Sequence, residues 1–157
     1  MITHLKQQSM GIALAIHEVF QASYKIEAEL IGADNFPPLS RSVQDIAHSS
    51  SMFYGYYADG EIAGVIELAQ LNDQLDINSL VVSPEHFRKG IAGKLIEHAL
   101  TQFSYDEAVV ETATANKPAI QLYQKHGFVK FKQWVPDHGV TKTALVRRSD
   151  KSREQQK

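Results

Sequence analysis

The sequence predicts an α/β domain built on one mixed, mostly antiparallel sheet with flanking helices. Three observations carry that expectation. Ile12, Ile16, Val19, Phe20, Ile26 and Leu30 recur at three- and four-residue steps, the rhythm of an amphipathic helix. Three β-patterned runs follow, joined by Asp59-Gly60 and Asn72-Asp73, the residue types of tight hairpin turns. The last run then passes through Ser83-Pro84 and a basic, glycine-bearing loop into a helical pattern and another strand. A strand–helix–strand connection of that kind makes its two strands parallel.

In chain order, residues 5–31 read as the first helix, with Gly32 as its stop. Asp34 to Leu39 is a turn-forming loop holding Pro37-Pro38, and Ser40 is the expected cap of a short helix through Val43, Ile46 and Ala47. Strands are expected over 52–57, 62–68 and 75–82. The helix 90–103 carries Ile91, Leu95, Ile96, Ala99, Leu100 and Phe103 on one face. Residues 108–112 form the strand after the crossover. Asn116 caps a further helix, Pro118 stands in its first turn where a missing donor costs nothing, and Lys125-His126-Gly127 ends it. Strands 128–135 and 140–147 close a domain expected to span residues 1–148, with a polar tail at 149–157.

Composition removes several function classes. The chain has 157 residues and a net charge of −2, so no global basic field draws nucleic acid or membrane. It has no cysteine, which excludes disulfides, thiolate metal sites and a cysteine nucleophile. Its seven histidines form no H-x-x-x-H pair, so no metal is expected. Met1-Ile2-Thr3-His4-Leu5-Lys6 lacks the pattern of a secretory signal, and a cytoplasmic location is expected.

The most informative stretch runs from Leu80 to Ile96. A strand feeding a helix through glycines leaves backbone N–H groups unpaired at the helix start, and the helix dipole adds to their pull on an anion. Arg88, Lys89 and Lys94 place formal positive charge around that point. Two nucleotide motifs are excluded. The dinucleotide fingerprint needs three glycines where this chain has Gly90 and Gly93, and a P-loop needs Lys-Ser/Thr where this chain has Lys94-Leu95.

Val82 to Leu95 reads V-x-P-x-x-x-x-K-G-I-A-x-x-L, and Asn116 to Phe128 reads N-x-x-A-x-x-L-Y-x-x-x-G-F. Together these segments resemble the GNAT superfamily of acetyl-CoA-dependent N-acetyltransferases. The resemblance spans roughly residues 52–146 and departs at one point, where Phe87 occupies the position of the family's usual Gln or Arg and Arg88 follows it. It implies a parallel strand pair that splays apart to admit acetyl-CoA. Backbone groups of Leu80, Val81 and Val82 would hold the pantetheine arm. The loop Arg88, Lys89, Gly90, Ile91, Ala92, Gly93 and Lys94 would grip the pyrophosphate, and Asn116 would add a contact.

The same resemblance makes Tyr123 the proton donor to the leaving thiolate, a role that suits a phenol of pKa near ~10 facing a thiol near ~8.5. For the base that deprotonates the acceptor amine, Glu111 ranks first, twelve residues before Tyr123; Asp76 is second and Glu67 third. Tyr24, Phe36, Leu39, Tyr54 and Tyr56 are expected to line the acceptor pocket, with Glu27 and Glu29 as amine partners. The expected acceptor is a small-molecule or peptide amine, with acetyl-CoA as cosubstrate and no metal. Three alternatives stand beside that reading: an acetylase of protein amino termini or lysines, a catalytically silent acyl-CoA sensor, and a nucleotide-binding module using the same loop. The aromatic strand 53–57 reads equally as core or as a homodimer face.

Overall fold

The computed structural model describes residues 1–150. In chain order the elements are β1 (Ile2–Leu5), α1 (Met10–Ile31), α2 (Val43–Ala47), β2 (Met52–Ala58), β3 (Glu61–Leu71) and β4 (Gln74–Val82). They continue with α3 (Ile91–Gln102), β5 (Glu107–Ala113), α4 (Lys117–Lys125), β6 (Val129–Trp134) and β7 (Lys142–Arg148). The strands form one seven-stranded sheet in the order β1-β2-β3-β4-β5-β7-β6, in which only β4 and β5 run parallel. This is the mixed, mostly antiparallel α/β architecture the sequence predicts. Among the described residues no helix is long and apolar enough to cross a membrane.

Helices cover the sheet on both faces. Ile16, Val19 and Phe20 of α1 and Ile46 of α2 pack on Phe53, Val65 and Val81. Ile91, Leu95, Ile96 and Ala99 of α3, with Ile120 and Tyr123 of α4, pack on Ile66, Leu68, Leu75, Ile77 and Val110 on the other face. Gly64 lets α3 come close, since a Cβ there would stand 2.8 Å from Ile91 Cγ2 and 3.2 Å from Leu95 Cδ1.

Three expectations about local structure need correction. Residues 2–5 are an edge strand, and Leu5, expected to open the first helix, is buried in that strand. Ser42, not Ser40, caps α2: its Oγ accepts from Asp45 N–H while the Asp45 carboxylate accepts from Ser42 N–H. Ile26 and Leu30 do not reach the core and stay exposed. The tail expected beyond Ser149 falls from residue 151 outside the described residues.

Two irregularities in β4 open the sheet at its centre. Its parallel ladder with β5 runs only from Gln74↔Glu107 to Ile77↔Val110, whereas β5 stays paired with β7 as far as Ala113↔Lys142. The two central strands therefore separate beyond Ile77. At the same point Asn78 is an extra residue, because Leu68 faces Ile77 and Glu67 faces Ser79. Such a bulge reverses side-chain parity. Leu75 and Ile77 before it share a face with Leu80 and Val82 after it, while Ser79 and Val81 turn to the α1 side.

Candidate active site

The opening between β4 and β5 exposes backbone on one edge of β4. Ser83 N–H donates to Ala63 C=O at 2.8 Å, which makes Ser83 and Ala63 a bonded pair. Bonded and unbonded pairs alternate along an antiparallel ladder, so Val81 bonds to Val65 opposite it. Leu80 and Val82 turn their N–H and C=O groups the other way, into the opening. Of the three backbone positions expected to meet a ligand, Val81 is thus occupied in the sheet, and its side chain is buried in the core.

Beyond β4 the chain reaches α3 through a tight loop in which Arg88 and Gly90 have φ of 63° and 75°. The left-handed region suits Gly90 and is strained for Arg88. Gly90 ends this loop as the N-cap of α3 and no side chain caps the helix. The first intrahelical bond is Lys94 N–H to Gly90 C=O at 3.2 Å, so Ile91, Ala92 and Gly93 keep N–H groups with no acceptor inside the helix. Arg88 and Lys89 are exposed, and Lys89 Nζ lies 3.4 Å from His86 Nδ1. Lys94 instead lies against Tyr56, its Nζ 5.4 Å from the ring centre. Ile91 is a core side chain, and Gly93 faces His126, whose Nε2 would stand 3.3 Å from an added Cβ.

The opening leads to a cavity of about 400 Å³. Its walls come from α1 (Tyr24, Glu27), the segment Phe36-Pro37-Pro38, the β4 bulge, the end of β5, the start of α4, and His138, Val140 and Lys142. Asn116 joins two of these walls. Its Oδ1 accepts from Ala119 N–H at 3.3 Å and caps α4, and its Nδ2 donates to Glu27 Oε1 at 2.8 Å. Tyr123, one turn beyond Ala119 on α4, lines the cavity and is otherwise enclosed, with Phe128 edge-on at 5.5 Å. Burial, reinforced by the nearby Tyr24 and Glu27, holds its phenol well above the ordinary value. It therefore remains a neutral O–H donor.

The carboxylates near the cavity differ in how they are held. Glu67 is buried and fully engaged. Both Nη atoms of Arg41 donate to it at 2.7 and 2.9 Å, and the Ser51 and Ser79 hydroxyls complete its shell. Burial pushes its pKa up, but these donors and the Arg41 charge outweigh burial and hold it below the usual value. Burial pushes the Tyr24 phenol up to about 12, against the opposing effect of the nearby Ser79 hydroxyl. Glu27 accepts one hydrogen bond, and burial raises its pKa against the opposing effects of Asn116 and Lys142. Glu111 is exposed at the cavity wall. Asp76 lies outside the cavity in an adjoining groove that shares Glu111 and Lys142, and it accepts from Gln74 Nε2 at 2.7 Å.

Residues 14–128 match the family model described as acetyltransferase (GNAT) family. The chain belongs to that family. As a GNAT chain it is 38% identical over 131 residues to UPF0157 protein YqkA of Bacillus subtilis, covering 83% of this chain and 38% of that protein. It is 33% identical over 119 residues to a streptothricin acetyltransferase from Escherichia coli, covering 72% of this chain and 68% of the relative. The chain thus spans well under half of YqkA. In fold it is similar to the Thermoplasma acidophilum PaiA N-acetyltransferase crystallised with coenzyme A. That match has a TM-score of 0.74 at 19% identity, covering 95% of this chain and 99% of the other.

Set in this GNAT domain, the expected acceptor-pocket residues divide. Tyr24, Phe36 and Glu27 line the cavity. Tyr54 and Tyr56 do not: Tyr54 packs on the opposite face with His98 and Phe103, and Tyr56 meets Lys94. Their strand parity carries them away from α1. Leu39 is absent from the cavity wall and offers its carbonyl to Gln21, while Glu29 is exposed on α1. The motifs gave no sign of Arg41, Ser79, His138 or Lys142 in the wall. The usable signal for Ser79 was the polar pair Asn78-Ser79 interrupting an apolar strand, which marks the bulge.

Proposed function

We propose that this chain transfers the acetyl group of acetyl-CoA directly to a primary amine within a ternary complex. One observation carries the reading. The free edge of β4, Tyr123 and Asn116 all border one cavity that opens where the parallel strands part. The coenzyme fits the residues present on two counts: an uncapped helix start suits its pyrophosphate, and the unpaired Leu80 and Val82 backbone suits an extended amide-bearing arm. The N–H groups of Ile91, Ala92 and Gly93, with Arg88 and Lys89 nearby, would hold the phosphates. Acetyl-CoA supplies an activated acyl group when bound.

The remaining chemistry belongs to the chain. Leu80 N–H, turned into the opening, would donate to the oxygen on which negative charge develops. Tyr123 supplies a proton to the departing sulfur; its raised pKa keeps that proton in place until a thiolate forms. Glu111, exposed at the wall, takes the proton of the attacking amine, directly or through water, and returns it to solvent. With no cysteine in the chain, no thiol takes the acetyl group. Relatives described as acting on streptothricin are consistent with an amine acceptor.

Initial rates measured over a grid of acetyl-CoA and amine concentrations test the reading. Double-reciprocal lines that intersect are expected. Parallel lines would indicate an acetyl-enzyme and overturn direct transfer.

A further inference from the structure

Resting on the acetyl-transfer reading, we infer that Glu27 holds a second, non-reacting cationic nitrogen of the acceptor, so that the natural acceptor is a diamine or polyamine-like molecule. Two carboxylates lie near this opening, Glu67 buried in the sheet behind it and Glu27 half-buried at the cavity wall. Each needs a partner of opposite charge or several donors. Glu67 has both, through Arg41, Ser51 and Ser79. Glu27 has neither. It accepts one hydrogen bond, from Asn116, and among the described residues no basic side chain lies within ion-pair distance of it. Lys142 shares the cavity wall but acts on Glu27 only at longer range. The Arg41 charge is already matched by Glu67.

Asn116 fixes where Glu27 points. Because the same side chain caps α4, the carboxylate is tied to the helix that carries Tyr123. One oxygen is engaged by Asn116 and the other has no hydrogen-bond donor. The group is therefore preorganised and incompletely paired beside the reaction centre, as a cation receptor should be.

The cation it receives is a second nitrogen rather than the one that is acetylated. The reacting nitrogen gives up its proton before it attacks, and Glu111 is the carboxylate assigned that proton. An ammonium that stays protonated throughout satisfies the carboxylate before, during and after transfer. Glu111, in contact with water, suits the reacting nitrogen because it can pass the proton on. Exposure thus divides the work between the two carboxylates.

The test compares 1,4-diaminobutane with butylamine, which share a carbon chain and differ by one ammonium. Each is titrated calorimetrically at pH 7.5 into the protein saturated with unacetylated CoA, so binding is read without turnover. The diamine should bind at least about ten-fold more tightly than butylamine. Glu27→Gln should bring the two within about two-fold while leaving CoA affinity unchanged. Glu27→Asp, which keeps the charge, should retain part of the preference. Equal affinities in the wild type, a preference that survives Glu27→Gln, or no binding of either amine would each overturn the assignment. Failure of acetyl transfer itself shows separately, as absence of thiol release from acetyl-CoA with any amine.

Discussion

Glu67 and Glu27 show how a single side chain's surroundings decide between holding a fold and holding a ligand. Glu67 is kept below its ordinary pKa of 4.5, so the folded state gains from its ionisation. That gain is present above the unfolded value and is lost as pH falls through the folded one. Glu67→Ala should cost about 3 kcal/mol at pH 7, since it strands Arg41 over the Phe20 and Phe53 rings. Urea titrations should show that difference shrinking as pH falls below the ordinary carboxylate value and through the lowered folded one. Glu27 has the opposite sign. Its pKa is raised, so its favourable contribution exists at low pH and is lost as pH rises through the folded value. Glu27→Gln should therefore melt no lower than the wild type at pH 7.5, with the gap closing in acid. A residue kept for a ligand at some expense to its own fold would be a familiar exchange of stability for function. Tyr123→Phe removes one hydroxyl from the cavity wall, and kcat should fall about 10²- to 10³-fold with CoA affinity unchanged. The place of Tyr123 at the cavity wall was legible from the sequence because its signature is local. The engagement of Glu67 was not, because Arg41 and Ser51 reach it only through the folded chain.

At the scale of elements, the strand–loop–helix unit was the easiest to read. Its strand is apolar, its loop carries Pro84 and Gly90, and its helix has one clear apolar face buried through Ile91, Leu95, Ile96 and Ala99. β1 was illegible for a physical reason: of Ile2-Thr3-His4-Leu5 only Leu5 is fully buried, so no alternation announces a strand, and its pairing with β2 spans about fifty residues. The end of α1 misled in the other direction. Ile26 and Leu30 keep helical spacing, yet past Phe20 the helix meets the cavity rather than core, and Tyr24 and Glu27 become its working face. α3 is held against the sheet through Gly64. A methyl group there meets Ile91, Leu95 and the Val81 carbonyl, so Gly64→Ala should destabilise the fold by about 1–3 kcal/mol. Because the displaced helix carries the uncapped N-terminus, calorimetry should also show weaker CoA binding. An unchanged CoA affinity at reduced stability would separate α3 placement from the phosphate grip.

For the whole molecule, the order of elements fixed a mixed sheet with one parallel pair, and the two separated motifs marked where the sheet opens. What they left open was the shape of the far side of the cavity. That side is built from Phe36-Pro37-Pro38, the α1 carboxylate and the His138–Lys142 region, segments that meet only in three dimensions. The bulge at Asn78 joins the two halves of the site, since it frees the β4 edge and turns Ser79 toward Glu67. On the proposed function, this opening binds acetyl-CoA and delivers its acetyl group to an amine. The most direct test follows free thiol released from acetyl-CoA alongside the mass of an amine panel, using wild type and Tyr123→Phe. One acetylated amine per thiol is expected in the wild type, with a rate lowered about 10²- to 10³-fold in the variant. Tight CoA binding with no amine-dependent thiol release, or release that Tyr123→Phe leaves unchanged, would contradict it.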